Sequence, residues 1–333
     1  MVIYKPSASF LSYNDIFKRD VLPFLRKKFP RDKYTEPIWY YTTDIPRSMF
    51  RSVIPLCLAR VFRKDIRKVL PVIAASEIIF SITLAQDDII DGDKQRQGFP
   101  SAWKKYGLPI CVASIDYCYF YAYKILKEVE KYVPRERAKM IYDAFLEGQK
   151  LVNKSFMFEK IHKNDFSLGL EDMKNLMEWK TITGITDQYC SMLALNCDLD
   201  DCRNMRRYAV LNGYAGQVKN DILDFFYIKG YEEYRKFSDF KEGYMNYAII
   251  RLHNLCSKAD RKVLEGSYGK GGKPNIERIL ELIEKYGLQK IVMNDCRKFV
   301  RDAKNSIATF RDCPEKDMIM SWADSAVKFS RSK

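Results

Sequence analysis

The sequence predicts an all-α protein, and three features of its 333 residues support that prediction. Several long stretches place apolar residues at helical spacing, and the apolar run 69–85 is too long for a strand. No segment shows the alternation of strands, and no internal repeat or low-complexity linker divides the chain. The content of 47% hydrophobic and 30% charged residues is ordinary for a chain that buries a core. We therefore predict a single all-α domain over residues 1–333, with residues 1–12 irregular.

The first half of the chain is predicted to form four helices. Asn14 or Asp15 is a suitable N-cap for the first helix, and Gly92 follows the third as a stop signal. Gly98 and Pro100 indicate a loop after that stop. The expected limits are 14–28, a helix from about 46 with Pro55 as a candidate kink site, 64–91 and 108–133.

The second half is predicted to contain helices at about 134–160, 171–196, 202–226 and 246–256. A Gly-rich break at 266–274 then precedes two or three further helices. The segment 227–243 is charged and contains Gly, so we expect a mobile flap there. The helices are long enough for a large bundle.

Composition excludes some classes of protein. The nine cysteines contain no CxxC pair and only His162 and His253 accompany them, so we expect no zinc site and reduced thiols in the cytoplasm. No signal peptide and no uncharged run of membrane-spanning length is visible. A net charge of +14 is consistent with a polyanionic partner: nucleic acid, a membrane surface or a phosphorylated substrate. The basic residues are spread along the whole chain, so charge alone does not decide between these.

The first acidic cluster lies at the end of the long apolar helix. Asp87 and Asp91 are four residues apart and Asp88 and Asp91 three, which places their side chains on one helical face. Carboxylates crowded on an apolar helix repel one another. Mg²⁺ relieves that repulsion, since it binds one or two carboxylates together with substrate phosphates.

A second cluster, made of Asn220, Asp221 and Asp224, has the same spacing on another core helix. We predict that the two clusters face each other across a cavity and hold Mg²⁺ on a diphosphate. Metal bound there would promote heterolysis of an allylic C–O bond, sheltered by apolar side chains. Arg96 and Lys180 are candidates for phosphate contacts because they lie beside the clusters.

These motifs resemble, in order and spacing, those of the trans-isoprenyl diphosphate synthases. The resembling segments are DDIIDGDKQRQGFP from Asp87, Lys180-Thr181, Gly213 to Asp224, and Ser238 to Gly243. The resemblance implies the isoprenoid synthase bundle around a central cavity and a homodimer that binds no nucleic acid. It implies three Mg²⁺ ions and an allylic isoprenyl diphosphate as substrate. The roles it implies are metal ligands at Asp87, Asp91, Asn220, Asp221 and Asp224 with support from Asp88, diphosphate contacts from Arg96, Lys180 and Arg51, and cation-stabilising dipoles from Thr181 and Gln217.

The sequence departs from the family pattern mainly where the family binds isopentenyl diphosphate. Ser48 replaces a Lys, Phe80 a His and Gln97 an Arg. Tyr244 replaces another common Lys, and Gly216 replaces a Phe. Charge-assisted bonds to a diphosphate contribute roughly 1.5–3 kcal/mol each, so losing three cationic groups predicts a large loss of affinity.

These departures predict an enzyme that ionises an allylic diphosphate without isopentenyl diphosphate. Because Asn220 opens the second motif as in the class I terpene synthases, we expect a terpene synthase on a prenyl-synthase scaffold, or prenyl transfer to another acceptor. Ile82 and Thr83 stand where short-chain synthases cap the product pocket with an aromatic ring, which favours a C15 or C20 substrate. The alternatives are an ordinary chain-elongating synthase and a non-catalytic subunit that regulates one.

Overall fold

The computed structural model describes residues 13–228, 237–270 and 272–328, and these are mostly helical. The predicted all-α fold is confirmed. The irregular segment predicted at 1–12 lies outside the described residues, as does part of the flap predicted at 227–243. The helices are α1 (Leu22–Lys28), α2 (Glu36–Trp39), α3 (Phe50–Val61), α4 (Leu70–Asp91), α5 (Ala102–Tyr106), α6 (Leu108–Leu126), α7 (Arg135–Ile161), α8 (Leu170–Ala194), α9 (Leu199–Phe225), α10 (Ser238–Glu242), α11 (Tyr247–Leu255), α12 (Lys258–Ser267), α13 (Lys273–Lys285), α14 (Leu288–Ser306) and α15 (Pro314–Asp324).

The chain groups into two compact units. Of the described residues, the first unit contains 13–149, 183–206 and 309–319, and the second contains 150–182, 207–228, 237–270, 272–308 and 320–328. The single domain predicted over residues 1–333 stays a prediction, and each unit is described by itself.

Helix α4 forms the centre of the first unit. Pro71 stands in its first turn, where the missing N–H costs nothing, and Gly92 caps its end with φ of 70°. Its main packing partner is α6. By length and composition α4 could cross a membrane, but 67% of its most apolar window is buried inside the protein, as in a core helix.

The structure differs from the sequence-based prediction on both sides of this helix. Residues 66–68 form a 3₁₀ turn capped by the Asp65 side chain, so α4 begins later than the predicted residue 64. After Gly92, the predicted loop contains a small hairpin of β1 (Gln95–Arg96) and β2 (Phe99–Pro100). The loop residues Gln97 and Gly98 have φ of 54° and 83°, which is the pattern of a type I′ turn.

Two helices of the second unit begin with a side-chain cap. The Asn246 side chain accepts the Ile249 N–H at the start of α11, and Ser257 accepts the Asp260 N–H at the start of α12. All nine cysteines of the chain are free thiols and eight are buried.

Candidate active site

The first acidic cluster occupies the last turn of α4, in the first unit. Asp87 is partly exposed and Asp91 exposed, whereas Asp88 is fully buried. The i, i+4 pair Asp87 and Asp91 therefore offers carboxylates at the surface, and Asp88 turns into the protein. The three aspartates do not have equivalent environments.

Arg96 from β1 binds this cluster. Its Nε and Nη2 donate to Asp88 Oδ1 at 2.9 and 2.6 Å, and Nη2 also donates to Asp87 Oδ2 at 2.7 Å. The two carboxylates raise the pKa of Arg96 against the opposing effect of burial. The second Asp88 oxygen accepts a 2.5 Å hydrogen bond from the Tyr41 hydroxyl. Both oxygens of Asp88 are thus already used within the protein.

The second cluster lies in the second unit and contains one more acid than predicted. Asp221 and Asp224 of α9 are buried, and Asp239 at the start of α10 is close enough to interact with both. Asp224 accepts the Ser238 N–H and Oγ–H at 3.0 and 2.9 Å. Lys180 of α8 also interacts with Asp221 and Asp239, and its Nζ donates to Glu159 at 2.6 Å.

Electrostatics in this cluster favour a bound cation. Burial raises the pKa of Asp221 well above its usual range, and the neighbouring Asp239 raises it further. Burial likewise raises the pKa of Asp239, which Lys180 opposes. A cation with oxygen ligands would relieve this repulsion. In the described part of the chain no three Asp, Glu, His or Cys side chains form a closed metal site, so substrate oxygens would have to complete the coordination of Mg²⁺.

The remaining predicted residues of the second unit lie close to this cluster in sequence. Thr181 donates its hydroxyl to Met177 O at 2.8 Å, within its own helix. A Cβ added to Gly213 would lie 2.5 Å from the Thr181 Oγ1, so only glycine allows α8 and α9 to approach this closely. Gln217 is partly exposed and Asn220 exposed; Gly216 has open space around its Cα. Their roles stay predictions.

Arg51, predicted to contact diphosphate, is engaged inside the first unit. Its guanidinium lies 3.6 Å from the centre of the Phe80 ring, and Nη1 donates to Thr183 Oγ1 at 2.6 Å. Arg47 lies on the same ring at 5.0 Å and forms an ion pair with buried Glu77. The ring of Phe80 thus holds two arginines.

The other three substituted positions have local roles. Ser48 Oγ accepts the Phe50 N–H at 3.4 Å, at the start of α3. Gln97 is exposed in the hairpin turn. The Tyr244 ring has Lys160 and Lys163 at 4.7 and 4.5 Å, and Lys160 also donates to its hydroxyl. Cationic groups therefore lie beside Tyr244, although it replaces a Lys.

Sequence reasoning missed Tyr41, Glu77 and Asp239 as parts of these networks. Glu77 could have been noticed, because a charged residue inside an apolar helix requires a partner. Asp239 lies in a segment that was already singled out by its resemblance. Nothing in the sequence near Tyr41 indicates its bond to Asp88, 47 residues away.

Comparison with known proteins decides the family. The family model described as polyprenyl synthetase matches residues 32–286, which is most of the chain. The chain belongs to the polyprenyl synthetase family. A geranylgeranyl diphosphate synthase of Sulfolobus acidocaldarius is 24% identical over 251 residues, covering 73% of this chain and 75% of the relative. One from Methanosarcina mazei is 24% identical over 300 residues, covering 85% and 86%.

The fold of this polyprenyl synthetase family member is also that of solved relatives. The crystal structure of a decaprenyl diphosphate synthase from Rhodobacter capsulatus matches it with a TM-score of 0.84 and 16% identity, over 97% of this chain and 100% of that chain. The resemblance noted from the motifs is therefore confirmed at the level of family and fold.

The predicted terpene synthase activity without isopentenyl diphosphate is wrong. The relatives are named as geranylgeranyl diphosphate synthases, which favours the chain-elongating alternative. The physical reason lies in Arg47 and Arg51. Three positions lost a cationic group, but the guanidinium groups of Arg47 and Arg51 lie beside the Phe80 ring, so a count of single positions did not describe the local charge; Arg47 is also paired with Glu77.

Proposed function

We propose that the chain is a chain-elongating trans-isoprenyl diphosphate synthase, which joins isopentenyl diphosphate to an allylic isoprenyl diphosphate. The observation that carries this proposal is the family match over residues 32–286, which includes both acidic clusters. The relatives named for C20 synthesis support a product of C15 to C20.

The residues of each cluster suit the ionisation step. Asp87 and Asp91 have carboxylates that reach the surface of α4, and Asp221 and Asp224 supply buried carboxylates on α9. Each cluster, the second together with Asn220, would hold Mg²⁺, which neutralises charge on the departing diphosphate when bound. Arg96 beside the first cluster and Lys180 beside the second would each contact diphosphate as a fixed cation.

A product assay tests the proposal. Geranyl, farnesyl and geranylgeranyl diphosphates are supplied singly with Mg²⁺, with and without isopentenyl diphosphate. We expect a longer prenyl diphosphate only when isopentenyl diphosphate is present. A hydrocarbon or alcohol from a single substrate, with no elongation, would refute the proposal, and turnover only after adding a second protein would favour a regulatory subunit.

We also infer a homodimer in the cytoplasm. Free, mostly buried thiols are consistent with that compartment. Helix α6 carries several exposed apolar side chains that a second copy could cover by two-fold symmetry: Leu108, Ile110, Val112, Tyr117 and Phe120, each 41–75% exposed. Light scattering after size exclusion should give twice the chain mass, and Phe120→Asp should give the monomer. A monomeric unmodified protein would contradict this inference.

A further inference from the structure

The buried carboxylate of Asp88 connects two parts of the first unit. One oxygen accepts from Arg96 on the β-hairpin, and the other accepts from Tyr41 on the π-helical turn Tyr40–Asp44. Asp88 is fully buried and Tyr41 is 1% exposed. Because both oxygens have partners, Asp88 acts as a fixed bridge between the tyrosine and the arginine.

The Tyr41 hydroxyl has a second role in the same network. It accepts, at 2.9 Å, the N–H of Ala102, which is the first residue of α5. Burial, together with the hydrogen bond to Asp88, raises the pKa of Tyr41, so the hydroxyl is a neutral donor. Tyr41 therefore fixes Asp88 and the end of the hairpin with a single oxygen atom.

The hairpin needs such a connection. Each strand has only two residues, and an isolated two-stranded hairpin is marginally stable at best. A free Arg side chain also loses roughly 2 kcal/mol of rotamer entropy when it is ordered. Among the described residues Nη1 of Arg96 has no recorded acceptor, so the guanidinium is held through Nε and Nη2 while Nη1 can meet a ligand.

We propose that Tyr41 is a positioning residue that acts through Asp88 to hold Arg96 ready for the substrate diphosphate. This rests on the proposed function, in which Arg96 binds that diphosphate. Tyr41 itself contacts no substrate. Its loss should weaken diphosphate binding by freeing Asp88 and Arg96, rather than by removing a ligand.

The neighbouring tyrosine offers a matched control. The Tyr40 hydroxyl donates to Pro100 O at 2.9 Å, so it also holds the hairpin, but it makes no recorded bond to Asp88 or Arg96. Tyr41→Phe and Tyr40→Phe each remove one hydroxyl and keep the ring. If these hydroxyls only stabilised the hairpin, the two variants would have similar affinity for diphosphate and similar hydrogen exchange.

Three measurements test the proposal. For Tyr41→Phe we expect KM for the allylic diphosphate to rise roughly tenfold, with a smaller change in kcat. A tenfold rise corresponds to the loss of one charge-assisted hydrogen bond. In the absence of metal, the amides of residues 92–102 should exchange hydrogen faster in Tyr41→Phe than in Tyr40→Phe. Isothermal titration with inorganic diphosphate and Mg²⁺ should show the same tenfold weakening, and Tyr40→Phe should stay within about twofold of the unmodified protein.

A double-mutant cycle separates action through Asp88 from an independent effect. If Tyr41 acts through Asp88, adding Tyr41→Phe to Asp88→Asn should weaken diphosphate binding no further. Additive losses would overturn the proposal, as would equal effects of the two tyrosine variants. If the unmodified protein turned over no substrate pair, the proposed function would fail, while exchange and diphosphate titration would still decide the role of Tyr41.

Discussion

The buried carboxyl of Asp187 gives the sharpest prediction for stability. This residue of α8 is fully buried, and within the described part of the chain neither of its oxygens has a hydrogen-bond partner of regular geometry; the Ser76 hydroxyl lies nearby. Burial raises the pKa of Asp187 well above 3.8, Arg51 opposes the rise and Glu77 adds to it. The perturbation is Asp187→Asn, which keeps the shape and removes the acid.

The direction of the effect follows from proton linkage. Below the usual value of 3.8 the carboxyl is protonated in both the folded and the unfolded chain, so its full contribution to stability is present. Above that pH the unfolded chain loses the proton while the folded chain keeps it. The free energy of unfolding then falls by up to about 1.4 kcal/mol per pH unit, until the raised pKa is passed. Asp187→Asn lacks this loss, so its stability relative to the unmodified protein should rise with pH.

Urea unfolding followed by circular dichroism measures this difference. The midpoints of both proteins are compared at several values between about pH 4.5 and 7, above the usual range of an aspartate. Ser191→Ala is the matched control, because it removes a buried hydroxyl without a partner on the same helix and does not titrate. If Asp187→Asn and Ser191→Ala both keep a constant difference from the unmodified protein across this range, the reasoning is refuted.

Three further outcomes are expected. Glu77→Gln should lower the free energy of unfolding by about 3–5 kcal/mol, because it removes the counter-charge of Arg47, whose side chain is only 10% exposed; a loss below about 1 kcal/mol in urea unfolding would contradict this. Gly213→Ala should lower it by about 1–3 kcal/mol, and Thr181→Ala should restore most of that loss in the double variant. Asp87→Ala should reduce the rate of Mg²⁺-dependent diphosphate release roughly a hundredfold or more, and an unchanged rate would show that Asp87 is not a metal ligand.

Much of the fold could be predicted because its signals are local. The apolar run before Asp87 and the glycine at residue 92 predict the end of α4, and the structure ends the helix at Asp91. The hairpin after it was missed because strands of two residues have no alternation to detect. The 3₁₀ turn at 66–68 continues the direction of a helix, so the sequence alone cannot separate it from α4.

The candidate site was predictable only where its residues lie close in the sequence. The i, i+4 pairs on α4 and α9 are such cases. The bonds from Tyr41 to Asp88 and from Arg51 to Thr183 span 47 and 132 residues, and no periodicity reports contacts of that kind. The one sequence signal of such long-range contacts is a single charged residue inside an apolar helix, such as Glu77. It indicates that the charged side chain has a partner, but it does not identify that partner.

The incorrect prediction of function has the same origin. Position-by-position reasoning treated Ser48 and Phe80 as two lost cations, and so as a lost binding site. Electrostatic attraction depends on the distance between charges and not on which position supplies them. Arg47 stands one residue before Ser48, and its guanidinium lies on Phe80 together with that of Arg51. A count of cationic positions in the sequence therefore does not give the local charge, and only a structure shows which side chains lie within reach of one another.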